Sequence, residues 1–392
     1  METDSAQRLS FHVAHLTDVK RTTMDFAFTH EHEELRHTVR RFMENESPEA
    51  TVRTLMETEQ GYDRKTWERM ASELSLLGLI VPERHGGAGL GPVELAIAME
   101  EMGRVLFCGP YLASAVLAAD ALLRGGDEPA QKKLLPAIAA GKSIATLAVT
   151  EAAGKWDLAS IVMRATRAGS EWKLSGVKDY VLDGHLADAL LVAAKADDGL
   201  ALFQVEANAS GMERHALPTL DLTRKMARLN FSNTPATRIS AGDVSGALMQ
   251  AMALGVTMLA AEQVGGAQRC LEMSTEYAKT RLQFGRPIGS FQAIKHKCAD
   301  MLVETEFARS AAYHAAFAIA DGEDAFEGAH LAKSYCSESY FHAAAENIQI
   351  HGGMGFTWEH PAHLYFKRAR ASSILFGDPS EHRLQLANIL EL

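Results

Sequence analysis

The stretch YAKTRLQFGRPIGSFQ, residues 277–292, joins two long helical patterns in the C-terminal part of the chain. It ends one long helical pattern, turns at Gly285 and Pro287, and starts another helical pattern. Arg281 stands at the helix end, where its guanidinium can bind an anionic group through two hydrogen bonds. Phe284 can offer its ring to a flat ligand. A plain joint between two helices, with a solvated arginine, is the alternative interpretation.

A second stretch, QIHGGMGFTWEHP at residues 349–361, follows another long helical pattern. Gly352, Gly353 and Gly355 fall within four positions, and glycine allows a backbone to approach a ligand closely. A glycine cap followed by a loop is the simpler alternative. The histidines of this region lack the ligand arrangement of a metal site, so no metal is expected.

Composition limits the classes of protein that remain. A chain of 392 residues predicts two or three domains. Its net charge of −11 argues against a surface for nucleic acid backbones. No run approaches about 18 uninterrupted apolar residues, so a membrane span is not expected. The four cysteines are scattered, which indicates neither a zinc site nor a disulfide framework and favours a cytoplasmic location.

The pattern of apolar and turn residues changes twice along the chain. Helical patterns fill residues 24–145, which we interpret as an N-terminal helical domain. Short, partly alternating segments with turn residues between them fill 146–242 and predict an antiparallel β module. Long helical patterns with short connections fill 243–392 and predict an antiparallel helical bundle. The fold class is therefore mostly α with one central β segment.

The N-terminus differs from the rest of the chain. Residues 1–23 are interpreted as a leader that is disordered or accidental, with a short ordered arm as the alternative. Thr29 is the predicted N-cap of the first helix. A full capping box is not expected, because His32 stands where the motif has glutamate or glutamine.

Taken together, the two stretches and the shorter motifs GGAGL at 86–90 and AVTE at 148–151 resemble the acyl-CoA dehydrogenase family over nearly all of the chain from Met24. The resemblance implies an N-terminal helical domain, a central antiparallel β-barrel and a C-terminal four-helix bundle. It also implies FAD, an acyl-CoA substrate oxidised at Cα–Cβ to a 2-enoyl-CoA, and electron transfer to an electron-transfer flavoprotein.

The resemblance assigns cofactor contacts on two sides of the FAD. On the barrel side, Thr150 is retained. In the family, the other contacts reach across a dimer interface to the FAD of the neighbouring subunit. Those retained here are Arg281, Phe284, Gln292, Gln349, Gly352 and Gly353. A homologous subunit, in a homotetramer or a heterotetramer, is therefore an expected partner.

Both family positions for the catalytic glutamate lack an acid in this chain. One position, 24 residues after Gly352, holds Phe376 and is followed by the expected glycine. The other, 26 residues before Arg281, holds Gly255. Asp378 is a weak candidate for the base, and the catalytic residue is otherwise unknown. Loss of a general base costs about 10²–10⁴-fold in rate.

The barrel side departs from the family as well. Trp156 replaces the serine that binds the flavin diphosphate, and Leu182 replaces a threonine that hydrogen-bonds near flavin N5. This pattern resembles heterotetrameric acyl-CoA dehydrogenases of steroid side-chain degradation. Two interpretations stay open: an FAD enzyme that acts with Asp378 or an unrecognised acid, and a non-catalytic subunit that completes the FAD site of a partner chain.

Overall fold

The computed structural model describes residues 28–169 and 171–392. The predicted leader, residues 1–23, lies outside these ranges. Helices make up the first part of the described chain, and a π-helical segment, Leu112–Ala118, leads directly into the fifth of them. The helices are α1 His30–Glu46, α2 Glu49–Met56, α3 Arg64–Ser72, α4 Pro92–Arg104, α5 Ala119–Gly125 and α6 Glu128–Ala139.

Helix α1 begins with a full capping box, so the expectation drawn from His32 was wrong. The Thr29 hydroxyl accepts a hydrogen bond from the His32 backbone N–H at 3.3 Å. In return, His32 Nδ1 accepts from the Thr29 backbone N–H at 3.2 Å. An imidazole with an unprotonated Nδ1 offers the same acceptor as a glutamate at this position. Histidine therefore replaces the usual residue.

Seven strands follow, and five of them close into the expected barrel. The order β4-β2-β3-β7-β5 returns to β4, while β1 pairs with β4 and β6 with β7. Two pairings, β1–β4 and β2–β4, are parallel instead of antiparallel. Each parallel pair is separated by a connection long enough for a crossover. The strands are β1 Ala145–Ala148, β2 Arg164–Ala168, β3 Glu171–Leu182, β4 Ala189–Ala196, β5 Gly199–Glu206, β6 Met212–Ala216 and β7 Met226–Arg238.

The C-terminal part contains the expected four long helices and a short fifth helix. They are α7 Ser245–Thr280, α8 Gln292–Ala320, α9 Ala325–His351, α10 Ala362–Ile374 and α11 Pro379–Ile389, with a small hairpin of β8 Leu282–Gln283 and β9 Arg286–Pro287 after α7. By length and composition α7 could cross a membrane, but 83% of its most apolar window is buried inside the protein. A helix that is apolar all round fits the centre of a core.

Helices α4 and α7 cross at two glycines. A Cβ on Gly265 would lie 1.8 Å from the Glu100 carbonyl oxygen, and one on Gly103 would lie 2.0 Å from the Glu262 carbonyl oxygen. No side chain fits at either place, so the two backbones touch directly. The N-terminal domain and the bundle consequently share one continuous core.

A buried arginine joins the barrel to the bundle. Arg368 on α10 donates from Nη1 to Glu262 Oε1 on α7 at 2.8 Å. Its Nη2 donates to Thr223 Oγ1 at 2.6 Å, and its Nε lies 2.8 Å from Asp221 Oδ2, both in the loop before β7. Arg224 pairs with the same Glu262. Two cations and two carboxylates thus balance each other inside the protein.

Candidate functional site

The two motif stretches meet at one end of the bundle. Tyr277, in the last turn of α7, stacks on His351, the last residue of α9, with ring centroids 4.3 Å apart and planes inclined by 27°. Arg281 follows α7 directly and Gly352 follows α9 directly. The stacked rings therefore hold the arginine turn and the glycine turn side by side.

The arginine turn presents one free cation. Phe284 sits at its tip with a φ of +54° and is 89% exposed. The Arg286 guanidinium lies over the Phe291 ring, 4.2 Å from its centroid, and so already has a partner. Arg281 is exposed and makes no side-chain hydrogen bond or ion pair with any residue that the structure describes. It is available to an anion from outside the chain.

The glycine turn presents open backbone. Gly352 has a φ of +62° and a ψ of −141°, a conformation that side-chain-bearing residues rarely adopt. A Cβ on Gly352 or Gly353 would meet nothing within 4 Å. Gln349 and Gln292 are exposed in the adjoining helical turns. An unpaired guanidinium beside open backbone fits a phosphate-bearing cofactor such as FAD.

The two positions predicted for the catalytic base lie next to each other. A Cβ on Gly255 would lie 3.9 Å from Phe376 Cε2 and 2.4 Å from Leu117 Cδ2. Phe376 is buried, and the Trp156 ring meets it edge-on with centroids 4.9 Å apart. Aliphatic and aromatic side chains therefore fill the place to which a carboxylate from either position would point.

Side chains from other helices hold the backbone around Phe376 through hydrogen bonds. Its φ of +64° is unusual for a residue with a side chain. Lys333 Nζ donates to the carbonyl oxygens of Gly377 and Ser373, each at 3.0 Å. His382 Nε2 donates to the Phe376 carbonyl oxygen at 3.1 Å. Burial lowers the pKa of Lys333 to about 7. No sequence motif indicated this lysine, because its partners are distant in the chain.

Asp378 lies close to Phe376 in the chain but serves a helix end. Its Oδ1 accepts hydrogen bonds from the backbone N–H groups of Glu381 at 3.0 Å and Ser380 at 2.8 Å. These bonds hold the pKa of the exposed carboxylate below its usual range. A general base that works near neutral pH needs the opposite shift. The geometry is that of an N-cap.

On the barrel side, the hydroxyl group of Thr150 is buried and has no hydrogen-bond partner within the described ranges. An orphaned hydroxyl of this kind fits a polar ligand. The side chain of Leu182, also buried, offers no hydrogen bond, and Trp156 packs on Phe376. The fit to FAD is thus good at the outward-facing side, which is formed by the arginine turn and the glycine turn, and poor on the barrel side.

Metal chemistry has no evident site in the ranges that the structure covers. No group of three His, Cys, Asp or Glu side chains there could hold a metal ion. The histidines near the glycine turn contact other rings instead. His351 and His360 have centroids 4.3 Å apart and planes inclined by 47°, and His363 stacks on Trp358 at 4.7 Å.

Comparison with known proteins gives two family-model matches. Residues 29–142 match the N-terminal domain of acyl-CoA dehydrogenase. Residues 245–390 match the C-terminal domain of acyl-CoA dehydrogenase. The matched segments lie on both sides of the barrel, in the same order as in the family.

Individual relatives extend the similarity to almost the whole chain. Acyl-CoA dehydrogenase IpdE2 of Mycolicibacterium smegmatis is 34% identical over 91% of this chain and 97% of its own length. The ChsE4-ChsE5 complex from Mycobacterium tuberculosis contains a chain that is 30% identical, with a TM-score of 0.86 over 94% of this chain and 99% of that chain. A chain of the Tcur3481-Tcur3483 steroid ACAD is 31% identical, with a TM-score of 0.84 over 92% of this chain and 98% of that chain.

Proposed function

Because this chain belongs to the acyl-CoA dehydrogenase family, we propose that it is a subunit of a heteromeric, FAD-dependent acyl-CoA dehydrogenase and completes the FAD site of its partner chain. The assembled enzyme oxidises an acyl-CoA thioester at Cα–Cβ to a 2-enoyl-CoA and passes electrons to an electron-transfer flavoprotein. FAD is the cofactor of the family, and when bound it accepts the hydride from Cβ.

One observation carries this proposal: the point at which both base positions meet is filled by Leu117 and Phe376. The reaction needs a carboxylate in contact with the α-proton, and neither Gly255 nor Phe376 supplies one. Without a base, about 10²–10⁴-fold of the rate is lost. In this proposal a group of the partner chain takes the proton.

The outward-facing side supports a role toward a partner. Arg281 is exposed and unpaired, and the backbone at Gly352 and Gly353 is open. In the family the matching groups reach the FAD of the neighbouring subunit, so we expect them to serve a partner's flavin here. Two of the similar solved structures are named as pairs of chains, and one of these is named a steroid ACAD. We therefore favour a homologous partner in a heterotetramer and a steroid-derived acyl-CoA substrate.

The cysteines support a cytoplasmic location. All four are free, and Cys108, Cys270 and Cys336 are buried. Burial raises the pKa of the Cys108 thiol to about 12, which keeps it protonated. Unpaired, unreactive thiols are typical of proteins from a reducing compartment.

A second candidate function is a dehydrogenase that acts on its own FAD, with Asp378 or another acid as the base. The orphaned Thr150 hydroxyl favours it, because a buried hydroxyl on the barrel side without a partner among the described residues is available to a polar ligand. In that case the chain would assemble as a homotetramer.

Purification separates the two candidates. The chain is expressed alone and together with a homologous chain that has a glutamate at a base position. Flavin content and acyl-CoA turnover are then measured. We expect a colourless single chain and a yellow, active pair with one FAD per pair. A single chain that binds FAD and oxidises acyl-CoA would contradict the partner role.

The arginine turn provides a matched pair of substitutions. Arg281→Ala removes the free cation, and a lost charge-assisted hydrogen bond of about 1.5–3 kcal/mol weakens FAD binding roughly 10- to 150-fold. Arg286→Ala removes an equal charge that already rests on Phe291, so flavin is retained. Full flavin content in the Arg281→Ala pair would show that the outward-facing assignment is wrong.

A further inference from the structure

A small cavity lies where the barrel, the N-terminal helices and the bundle meet. Its volume is about 20 Å³. A buried water molecule needs about 10–15 Å³ of such space, so the cavity accommodates one water-sized group and nothing larger. Most of the residues that line it are buried. They include residues from the end of β3, the loop before β7, and helices α4, α7 and α10.

Arg224 brings an unused hydrogen-bond donor to this cavity. Its side chain is 9% exposed. The Nη2 group donates to Glu262 Oε2, whereas the buried Nη1 group has no hydrogen-bond partner among the residues that the structure describes. Buried N–H groups in folded proteins nearly always bond to another protein group or to ordered water. The Nη1 group of Arg224 therefore indicates a ligand that accepts a hydrogen bond.

Asp183 brings the matching acceptor. It directly follows β3, is 7% exposed and lines the same cavity. Its carboxyl group makes no hydrogen bond or ion pair with any other described residue. Burial raises the pKa of Asp183 to about 7, while Arg224, Arg368 and Lys225 act in the opposite direction. In either protonation state the carboxyl group keeps an oxygen that accepts a hydrogen bond.

The charges that surround the cavity disfavour an ion as its occupant. Three cations, Arg224, Lys225 and Arg368, repel a metal ion. Two carboxylates, Asp183 and Glu262, repel an anion. A water molecule carries no net charge and can both accept and donate. It therefore satisfies the unused donor of Arg224 and the unused acceptor of Asp183 together.

We propose that this cavity binds one internal water molecule that bridges Arg224 Nη1 and the Asp183 carboxyl group. The water accepts a hydrogen bond from Nη1 and donates one to a carboxyl oxygen. It thereby connects the end of β3 to the loop before β7, beside the buried pairs that Glu262 forms with Arg224 and Arg368. This site is separate from the Arg281 surface, and it does not depend on the completion of a partner's FAD.

A crystal structure of the full-length chain tests the site directly. We expect one ordered water at about 2.7–3.2 Å from both Arg224 Nη1 and a carboxyl oxygen of Asp183. Crystals soaked in bromide or rubidium salts reveal a bound ion by its anomalous scattering. A site without ordered density, density that does not contact both groups, or an anomalous peak at the site would overturn the proposal.

Substitutions test the bridge in solution, where magnetic relaxation dispersion of the water oxygen nucleus counts long-lived internal waters. Asp183→Leu removes the acceptor and fills the space, so the count should fall by one water per chain. Asp183→Asn keeps an acceptor oxygen and should keep the count.

Asp120→Leu is the matched control, because Asp120 is similarly buried but pairs with Arg124 and does not line the cavity. Circular dichroism verifies that each variant is folded, and the crystal structure of the unaltered chain decides the question if Asp183→Leu does not fold. An unchanged count in folded Asp183→Leu, or an equal loss in Asp120→Leu, would overturn the assignment.

Discussion

Replacement of Arg368 by methionine measures how strongly the barrel is tied to the bundle. Arg368 is buried and contacts Asp221, Thr223 and Glu262 through all three of its nitrogens. Methionine keeps an unbranched apolar stem of similar reach, so little cavity is created. The substitution therefore removes the charge and the hydrogen bonds and leaves most of the packing in place.

The contacts that remain in the variant determine how much the free energy of unfolding falls. Glu262 keeps its ion pair with Arg224, so it is still compensated. Asp221 keeps hydrogen bonds from the Thr223 backbone and hydroxyl but loses its only cation among the described residues. Removal of one partner of a buried pair costs about 3–5 kcal/mol. Because one of the two carboxylates is still paired, we expect about 3 kcal/mol.

Thermal unfolding followed by circular dichroism is the assay. At about 2 °C per kcal/mol for a large domain, the variant melts roughly 6 °C lower.

The second substitution Asp221→Asn removes the orphaned charge and is expected to recover more than half of the loss. If Arg368→Met lowers the melting temperature by less than about 2 °C, or if the double variant is no more stable than Arg368→Met, this account of the network is refuted.

Three further predictions concern other parts of the fold. Lys333 has a folded pKa of about 7, so between pH 7 and 10 the unfolded chain binds one more proton than the folded chain, and the free energy of unfolding rises with pH. Urea unfolding at several pH values should show that Lys333→Met loses this rise. A rise that is unchanged in the variant would contradict the prediction. Gly265→Ala forces α4 and α7 apart and should cost about 1–3 kcal/mol in a melting experiment, whereas Gly246→Ala, in open space on the same helix, should not destabilise. Asp378→Ala should cost about 1 kcal/mol of stability and leave turnover of the assembled enzyme unchanged; a loss of turnover beyond a hundredfold would identify Asp378 as the base.

Local patterns in the sequence located most of the helices. The long helical pattern that precedes the stretch QIHGGMGFTWEHP is helix Ala325–His351, and helix Ala362–Ile374 follows that stretch. Both have clear ends, since a glycine turn stops the first and a proline precedes the second. The change of sequence pattern near residue 145 likewise coincides with the first strand, which begins at Ala145.

Contacts between distant segments could not be predicted in this way. Asp221, Glu262 and Arg368 come from three elements, and no local pattern connects them. The convergence of Gly255 and Phe376 also needs the packed helices to become visible. His32 was misjudged because the capping motif is usually described by side-chain type, whereas the helix requires only an acceptor at the right distance. The cofactor contacts at Arg281 and Gly352 stay predictions.

The exposed aromatic residues at the partner-facing end matter for how the cell supplies this subunit. Phe284 is 89% exposed and Phe356 is 81% exposed, close to the turn that would receive another chain. A free copy keeps these rings in water, and such surface favours aggregation and capture by chaperones and proteases. Synthesis of the two chains in unequal amounts would therefore be wasteful, because the surplus would be degraded. Matched production, from adjacent genes on one messenger RNA, is the simplest way to keep both chains in use.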